Sequence, residues 1–359
     1  MWAESLGPGA VVGGAGALAA LEAHLPDAWR FTRGLVVVDE AVADRAHWVE
    51  GPLARAGVSL DRLVLPGGEA VKGWEAVERV VLAALAQGVR RDGFLAAVGG
   101  GAVTDAVGFA AAVYLRGVSW MAVPTTLLGQ VDAAIGGKTA IDLAAGKNLV
   151  GAFHPPALVM ADPRWLDTLP AREWRSGLGE VVKAALLLGG EAWRQATALP
   201  APPAGRAALA ALAEAASRFK VRVVASDPEE RGRDGGRSLL NLGHTLGHAV
   251  EAAAGMGPLA HGEAVGVGLL AACFLSERLL GLDPAVGVAL TRVLQRWEMP
   301  TRAPGLDEAA VRGFLENDKK ATTRERPWVL LAAPGDARLG SPPAALVDEA
   351  LARALALGA

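Results

Sequence analysis

Through residues 1–162, short apolar runs bounded by glycine, proline and polar residues alternate with stretches of helical period. The runs are GAVVGG, GLVVVDE at 34–40, RLVLPGGE at 62–69, DGFLAAVGGG at 92–101, SWMAVPTT at 119–126 and ALVMAD at 157–162. Between two of them stands the helix pattern WEAVERVVLAALAQG at 74–88. A strand that is apolar along its whole length has both faces covered, so the alternation predicts a parallel sheet with helices on both sides. Ligands of such sheets sit beyond the carboxyl ends of the strands. There the sequence places Asp39, Gly68, Glu69, Gly99 to Gly101, Thr125 and Thr126.

From residue 163 the pattern turns helical, with apolar residues at helical spacing in REWRSGLGEVVKAALLL, RAALAALAEAASRFKVRVVAS, NLGHTLGHAVEAAAG and GEAVGVGLLAACFLSERLL. ALPAPPAG at 198–205 reads as a loop between helices, and the tail SPPAALVDEALARALALGA as a terminal packing helix. A chain of 359 residues exceeds one ordinary core. The expected organisation is an α/β domain over 1–162 and a mostly helical domain over 163–359.

Composition narrows the function classes. Hydrophobic residues make up 52% and charged residues 20%, which excludes a disordered chain. No apolar run reaches the roughly 20 residues of a membrane span, and MWAESLGPGAVVGG lacks the layout of a signal peptide. A net charge of −3 without a basic stripe argues against nucleic acid. The single cysteine, Cys273, fits a reducing cytoplasm. Of 35 basic residues only seven are lysine: Lys72, Lys138, Lys147, Lys183, Lys220, Lys319 and Lys320. Asparagine occurs three times, at Asn148, Asn241 and Asn317. Heat adaptation and GC-rich coding both give this bias. In such a background each lysine is either a surface survivor or a compact point charge doing what arginine cannot.

Three stretches carry chemistry. In AVGGGAVTDAVGFAAA (97–112) three glycines follow a strand and a helix begins soon after. Glycine lets backbone approach a pyrophosphate, and a helix N-terminus favours its charge. GGGxxxD is not the GxGxxG fingerprint, and such turns also occur without a ligand. Asp105 either caps the helix or holds a ribose hydroxyl. In VPTTLLGQVDAAIGGKTAIDLAAGKNLVGAFHPP (123–156) a polar segment carries Asp132, Lys138, Asp142, Lys147, Asn148 and His154. Ammonium groups beside a carboxamide suit a phosphate or carboxylate. The third set is Glu180 in SGLGEVVKAA, His244 and His248 in NLGHTLGHAVE, and His261 in HGEAVGVG. His244 and His248, four apart, share one helical face, the usual way a helix offers a metal two imidazoles. Three imidazole or carboxylate ligands and an open position would make a catalytic zinc-type site. Spacing allows Glu180 with His244 and His261, Glu180 with His244 and His248, or the three histidines. Against all of these stands the commoner helical histidine that is a hydrogen-bonded core residue.

Taken in this order, the motifs resemble the 3-dehydroquinate synthase family of sugar phosphate cyclases. The resemblance runs from Asp39 to Lys320 and is carried by GGGAVTDAVGFAAAVYLRG, the 123–156 stretch, SGLGEVVKAA, LLNLGHTLGHAVE, HGEAVGVG and NDKK. It implies a Rossmann-like α/β domain followed by a helical one, in agreement with the pattern. It also implies NAD and a divalent ion, Zn2+ or alternatively Co2+. By this resemblance the metal ligands are Glu180, His244 and His261, and His248 serves the substrate phosphate as a proton-transfer or hydrogen-bonding group. Lys138, Lys147, Asn148, Lys183, Arg237 and Asn241 would line the substrate pocket, with Lys220 as a further substrate-binding lysine. Arg116, in YLRG, would reach the phosphate from the partner subunit of a homodimer. NAD would lie against Asp39, Glu69, Lys72, Gly100, Gly101, Asp105, Thr125, Thr126, Asp132, Lys138, Lys147, Thr168 and Leu169. The resemblance places all seven lysines at family positions.

The chain departs from the family pattern at RGRDGG (231–236), an apparent insertion that leaves Glu229 and Glu230 as alternative matches to one acidic position. Which lysine of NDKK faces inward is likewise left open. The implied activity is that of a cytoplasmic lyase acting on a phosphorylated keto-acid sugar. It would turn 3-deoxy-D-arabino-heptulosonate 7-phosphate into 3-dehydroquinate and phosphate by transient oxidation, elimination, re-reduction, ring opening and aldol closure. The rivals are another sugar phosphate cyclase and a metal-dependent polyol dehydrogenase of the glycerol dehydrogenase type. Arg237 and the NDKK lysines favour a carboxylated substrate over the first. The phosphate-binding lysines and Arg116 disfavour the second.

Overall fold

Among the described residues, nine strands occupy the region where the apolar runs predict a sheet: β1 Trp2–Leu6, β2 Gly9–Gly13, β3 Arg33–Asp39, β4 Ser59–Leu65, β5 Phe94–Gly99, β6 Ser119–Pro124, β7 Lys138–Leu143, β8 Gly146–Phe153 and β9 Leu158–Ala161. With them come helices α1 Leu21–His24, α2 His47–Arg55, α3 Trp74–Ala86 and α4 Gly101–Val113. The computed structural model describes all residues except Phe31, Ala145, 231–235, Met256, 321–326 and 357–359, and the side chains of 317–320. Seven strands form one sheet in the order β1-β2-β9-β6-β5-β3-β4, parallel except for the β1–β2 hairpin. Every residue of β5 and of β9 is buried, which is why those strands are apolar without alternation. β3 lies between β4 and β5, so the chain reverses its progress across the sheet after β4. Ligand crevices form at such reversals, beyond the carboxyl ends of the strands. Asp39 ends β3 and Gly99 ends β5.

The polar stretch after β6 is more ordered than its composition suggests. It makes a π-helical turn at Gly129–Ala133 and then the antiparallel hairpin β7–β8, which packs on α4. Glycine, lysine and asparagine give β8 little strand propensity, and most of its residues are exposed. Its pairing with β7 and the contact with α4 supply what propensity lacks. The ladder is irregular between Ile141 and Leu143. At this bulge the Asp142 N–H donates to the carbonyl of Lys72 at 2.8 Å.

The remaining described residues are mainly helical: α5 Ala171–Leu188, α6 Gly190–Ala198, α7 Gly205–Ser226, α8 His244–Ala254, α9 His261–Leu280, α10 Pro284–Arg296, α11 Glu308–Lys320 and α12 Ala344–Leu355. One hairpin, β10 Trp328–Ala333 with β11 Asp336–Gly340, was not expected. Its Leu331 N–H donates to the buried Ser276 hydroxyl of α9 at 2.9 Å. Two compact units result, Met1–Leu169 with Lys220–Glu229, and Pro170–Phe219 with Glu230–Ala359. In the second, α9 is the axis, packed by α5, α8, α10, α12 and β10 around Leu246, Val267, Leu275, Trp328 and Leu351. Among the described residues no helix is long and apolar enough to cross a membrane.

Candidate active site

Three helices of the second unit meet through glycine. A Cβ added at Gly179 of α5 would lie 2.2 Å from the carbonyl oxygen of Gly262, and one at Gly262 of α9 only 1.8 Å from that of Ser176. One at Gly268 would lie 1.9 Å from the carbonyl oxygen of Gly243, which caps α8 with φ 76°. Backbone therefore rests on backbone, and each of Gly179, Gly243 and Gly262 is next to a candidate ligand: Glu180 follows Gly179, His244 follows Gly243 and His261 precedes Gly262. Gly262→Ala is expected to lower stability by more than the roughly 1–3 kcal/mol of ordinary overpacking, because no rotamer moves a Cβ away from a backbone oxygen. Gly313→Ala, where nothing lies within 4 Å, is the control and is expected to be neutral or stabilising in the same thermal melts.

This contact brings one carboxylate and two imidazoles to a point. Glu180 Oε1 is 3.4 Å from His244 Nε2 and 3.5 Å from His261 Nε2. A tetrahedral ion with bonds of about 2.0–2.2 Å holds its ligand atoms roughly 3.3–3.6 Å apart. His244 Nδ1 donates to the carbonyl of Leu242 at 3.2 Å, and His261 Nδ1 to Glu251 Oε2 at 2.9 Å. Both Nε2 atoms are then acceptors in the neutral rings. The Glu180 side chain is 1% exposed, and neither of its oxygens accepts a well-directed hydrogen bond. Three acceptors converging on one buried point call for a cation, so the residues fit a divalent metal. His248 lies on the same cluster but more openly. The ligand atoms of His244, His248 and His261 fall within 4.8 Å of one another, and His248 is exposed.

The electrostatics agree. Burial alone would raise the Glu180 carboxyl, but the Lys183 ammonium, in an ion pair with Oε2, and the two imidazoles hold it well below the usual range. Burial and then Lys183 push His244 down to about 3. His261 is also opposed by burial, yet Glu180 and Glu251 hold its proton and raise it to about 10. The cluster wants positive charge beside His261, which a proton or a divalent ion supplies.

At the sheet, α4 starts at Gly100 with no side-chain cap and no acidic residue in its first turn. A pyrophosphate is suited to such a helix start. The glycines also have a packing reason, since a Cβ on Gly100 would meet Thr126 Cγ2 at 3.1 Å and one on Gly101 would meet Ala133 Cβ at 3.0 Å. The Thr126 hydroxyl accepts the Gly129 N–H at 3.0 Å, beside the buried Thr125. Asp39 accepts the Ala41 N–H at 3.0 Å, and burial raises its carboxyl. Asp105 is not a cap. It lies in the second turn of α4 and accepts from Lys72 Nζ at 2.8 Å. Burial pushes Asp105 up to about 6, and the Lys72 ammonium offsets only part of this. Lys72 itself is raised, its burial outweighed by Asp105, Glu69 and Asp142.

Lys72 also donates to the Asn148 side-chain oxygen, joining a residue expected on the nucleotide to one expected on the substrate. Asn148 has φ 55° and its N–H donates to Asp142 Oδ1 at 2.7 Å. Lys147 pairs with Glu69 at 3.3 Å, both exposed. Lys220 Nζ reaches the Asp132 carbonyl at 2.8 Å and its carboxylate at 2.5 Å. Thr168 accepts from Arg45, and Leu169 beside it is buried. Lys138 opens β7 and is exposed. Arg116 is exposed in a turn where Leu115, Arg116 and Gly117 all have positive φ (51°, 67° and 118°).

In the second unit Lys183 and Arg237 are buried, and Asn241 Nδ2 donates to Glu230 Oε1 at 2.8 Å. Of the two acidic candidates, Glu230 is thus the one on Asn241. The side chains of Lys319 and Lys320 and residues 231–235 lie outside the described residues. Two contacts had not been foreseen, Asp142 on Asn148 and Glu251 on His261. Glu251 had a signal, because it follows His244 by seven residues and so shares its helical face.

The chain matches two family models, 3-dehydroquinate synthase N-terminal over residues 62–176 and 3-dehydroquinate synthase C-terminal over 177–321. A 3-dehydroquinate synthase of Symbiobacterium thermophilum is 40% identical over 335 residues, 90% of this chain and 91% of that protein. Among solved structures, a 2-epi-5-epi-valiolone synthase from Streptomyces hygroscopicus with NAD+ and Zn2+ bound superposes with a TM-score of 0.84 at 29% identity, covering 95% of each chain. A 2-deoxy-scyllo-inosose synthase complexed with carbaglucose-6-phosphate, NAD+ and Co2+ gives 0.81 at 27% identity, covering 97% of each chain.

Proposed function

The chain belongs to the 3-dehydroquinate synthase family, and from that membership we propose that its own residues convert 3-deoxy-D-arabino-heptulosonate 7-phosphate into 3-dehydroquinate and phosphate. It is an enzyme of the lyase class in aromatic biosynthesis, and its cofactors are NAD and a divalent ion. The observation that carries the residue assignment is the buried point faced by Glu180, His244 and His261 at tetrahedral ligand spacing. When bound, NAD supplies a hydride acceptor and donor, and the ion supplies Lewis acidity at substrate hydroxyls.

Glu180, His244 and His261 hold the ion, Zn2+ before Co2+. Lys183 keeps Glu180 ionised and presents a buried ammonium to the substrate. Asp39, Glu69, Lys72, Gly100, Gly101, Asp105, Thr125, Thr126, Asp132, Lys138, Lys147, Thr168 and Leu169 form the nucleotide side. The uncapped start of α4 supports placing the pyrophosphate there. Lys138, Asn148 and Arg116 grip the phosphate by charge-assisted hydrogen bonds. His248 takes or returns a proton at a ring nitrogen toward that phosphate. Arg237, with a lysine of NDKK, binds the C1 carboxylate, and Asn241 and Lys220 complete the substrate contacts. Arg116 acts from the partner of a homodimer. Exposed Val113, Leu115, Leu143, Leu149 and Phe153 in the same unit support an interface between copies. The cytoplasm is the proposed compartment, in keeping with the lone buried thiol of Cys273.

Purified protein with NAD+, Zn2+ and the heptulosonate phosphate is expected to release phosphate while no NADH fluorescence persists. Stoichiometric NADH would instead indicate a polyol dehydrogenase. Turnover of glucose 6-phosphate or sedoheptulose 7-phosphate, but not of this substrate, would indicate another cyclase.

A further inference from the structure

We propose that Glu251 is a positioning residue of the metal centre, fixing the tautomer and ring plane of His261 and neutralising part of the charge that a divalent ion brings. The inference rests on the assignment of Glu180, His244 and His261 as ligands. The two imidazoles are supported differently. His244 leans on a neutral backbone carbonyl at 3.2 Å, whereas His261 leans on a carboxylate at 2.9 Å. Carboxylate support makes an imidazole a more basic ligand and prevents its ring from turning.

The surroundings make the pairing deliberate. The Glu251 side chain is 12% exposed, and it crosses from α8 to the first residue of α9. The backbone at that residue is fixed separately. Glu263 Oε2 accepts the Ala260 N–H at 2.9 Å, and Arg175 holds Glu263 at 3.2 Å. The backbone at Ala260, just before His261, is thus anchored by one glutamate and the His261 ring by another. Charge gives a second reason. Lys183 already offsets Glu180, so a divalent ion would add two positive charges at a buried point, and Glu251 removes one of them.

The test measures Zn2+ affinity of the metal-stripped full-length protein by chelator competition, alongside the thermal melt of the same metal-free samples. Glu251→Gln keeps an acceptor but loses the charge, and Glu251→Ala loses both. Affinity is expected to fall by about 10-fold for the first and up to about 100-fold for the second. A merely structural tie between helices would lower the metal-free melting temperature of both variants and leave their Zn2+ affinity unchanged. The Co2+ absorption bands of the glutamine variant are expected to shift. Zn2+ binding by both variants within about twofold of wild type, while His261→Ala loses it, would overturn the role of Glu251. Wild-type affinity in His261→Ala would overturn the ligand assignment beneath it.

Discussion

His244→Ala is expected to purify without stoichiometric metal and to lose at least roughly 10³-fold in kcat/KM, whereas His248→Ala keeps its metal and loses roughly 10²–10⁴-fold in kcat. The two histidines sit one turn apart on α8, so the difference is one of geometry and not of residue type. The Leu242 carbonyl holds His244 Nδ1, which turns Nε2 toward Glu180 Oε1 at 3.4 Å. His248 joins the wider 4.8 Å cluster and is exposed. If Glu180, His244 and His261 hold the ion, removing one of them forfeits Lewis acidity worth several kcal/mol, and each 1.36 kcal/mol is a factor of ten. Removing a proton carrier leaves that term intact. Metal content by elemental analysis, read beside initial rates, separates the cases. Complete metal loss in His248→Ala would restore the simple i, i+4 pair as the metal site.

Much of this arrangement can be read from residue order, and the parts that cannot share a cause. β3, β5, β6 and β9 announce themselves because burial on both faces leaves only apolar residues. The β7–β8 hairpin does not, because packing on α4 holds it and its exposed residues are polar or scattered. The β10–β11 hairpin is hidden among helices for a similar reason, being tied to α9 through Ser276. The candidate metal centre is half legible. Its four candidate residues stand out by type, but spacing favours His244 with His248, since adjacent helical turns are all that spacing measures. Glu180 and His261 join His244 through helix contacts that exist only because Gly179, Gly243 and Gly262 carry no side chain. Sequence displays those glycines but not which backbones they bring together. The Lys72–Asp105–Asn148 contacts show the same limit, joining α4, β8 and the turn before α3 across 33 and 76 residues of chain.

A hybrid dimer of Arg116→Ala and Lys183→Ala subunits is expected to recover about half the wild-type activity, although each parent homodimer has lost about 10²-fold or more. Arg116 is exposed in a turn where it and Leu115 take left-handed backbone angles. Non-glycine residues are held in that region only where their surroundings insist. Exposed apolar side chains at Val113, Leu115, Leu149 and Phe153 occur in the same unit, a surface that a second copy would cover. Lys183 is buried against Glu180 in its own chain. If Arg116 serves the partner's phosphate site, the hybrid holds one site with both cations and one with neither. If Arg116 serves its own chain, each site in the hybrid lacks one cation and activity stays at the level of the parents. Differently tagged subunits, co-expressed and purified through both tags, give the hybrid free of homodimers. Light scattering on the same sample establishes that it is a dimer. Full inactivity in that sample would remove Arg116 from the partner's site, and a monomer would remove the interface with it.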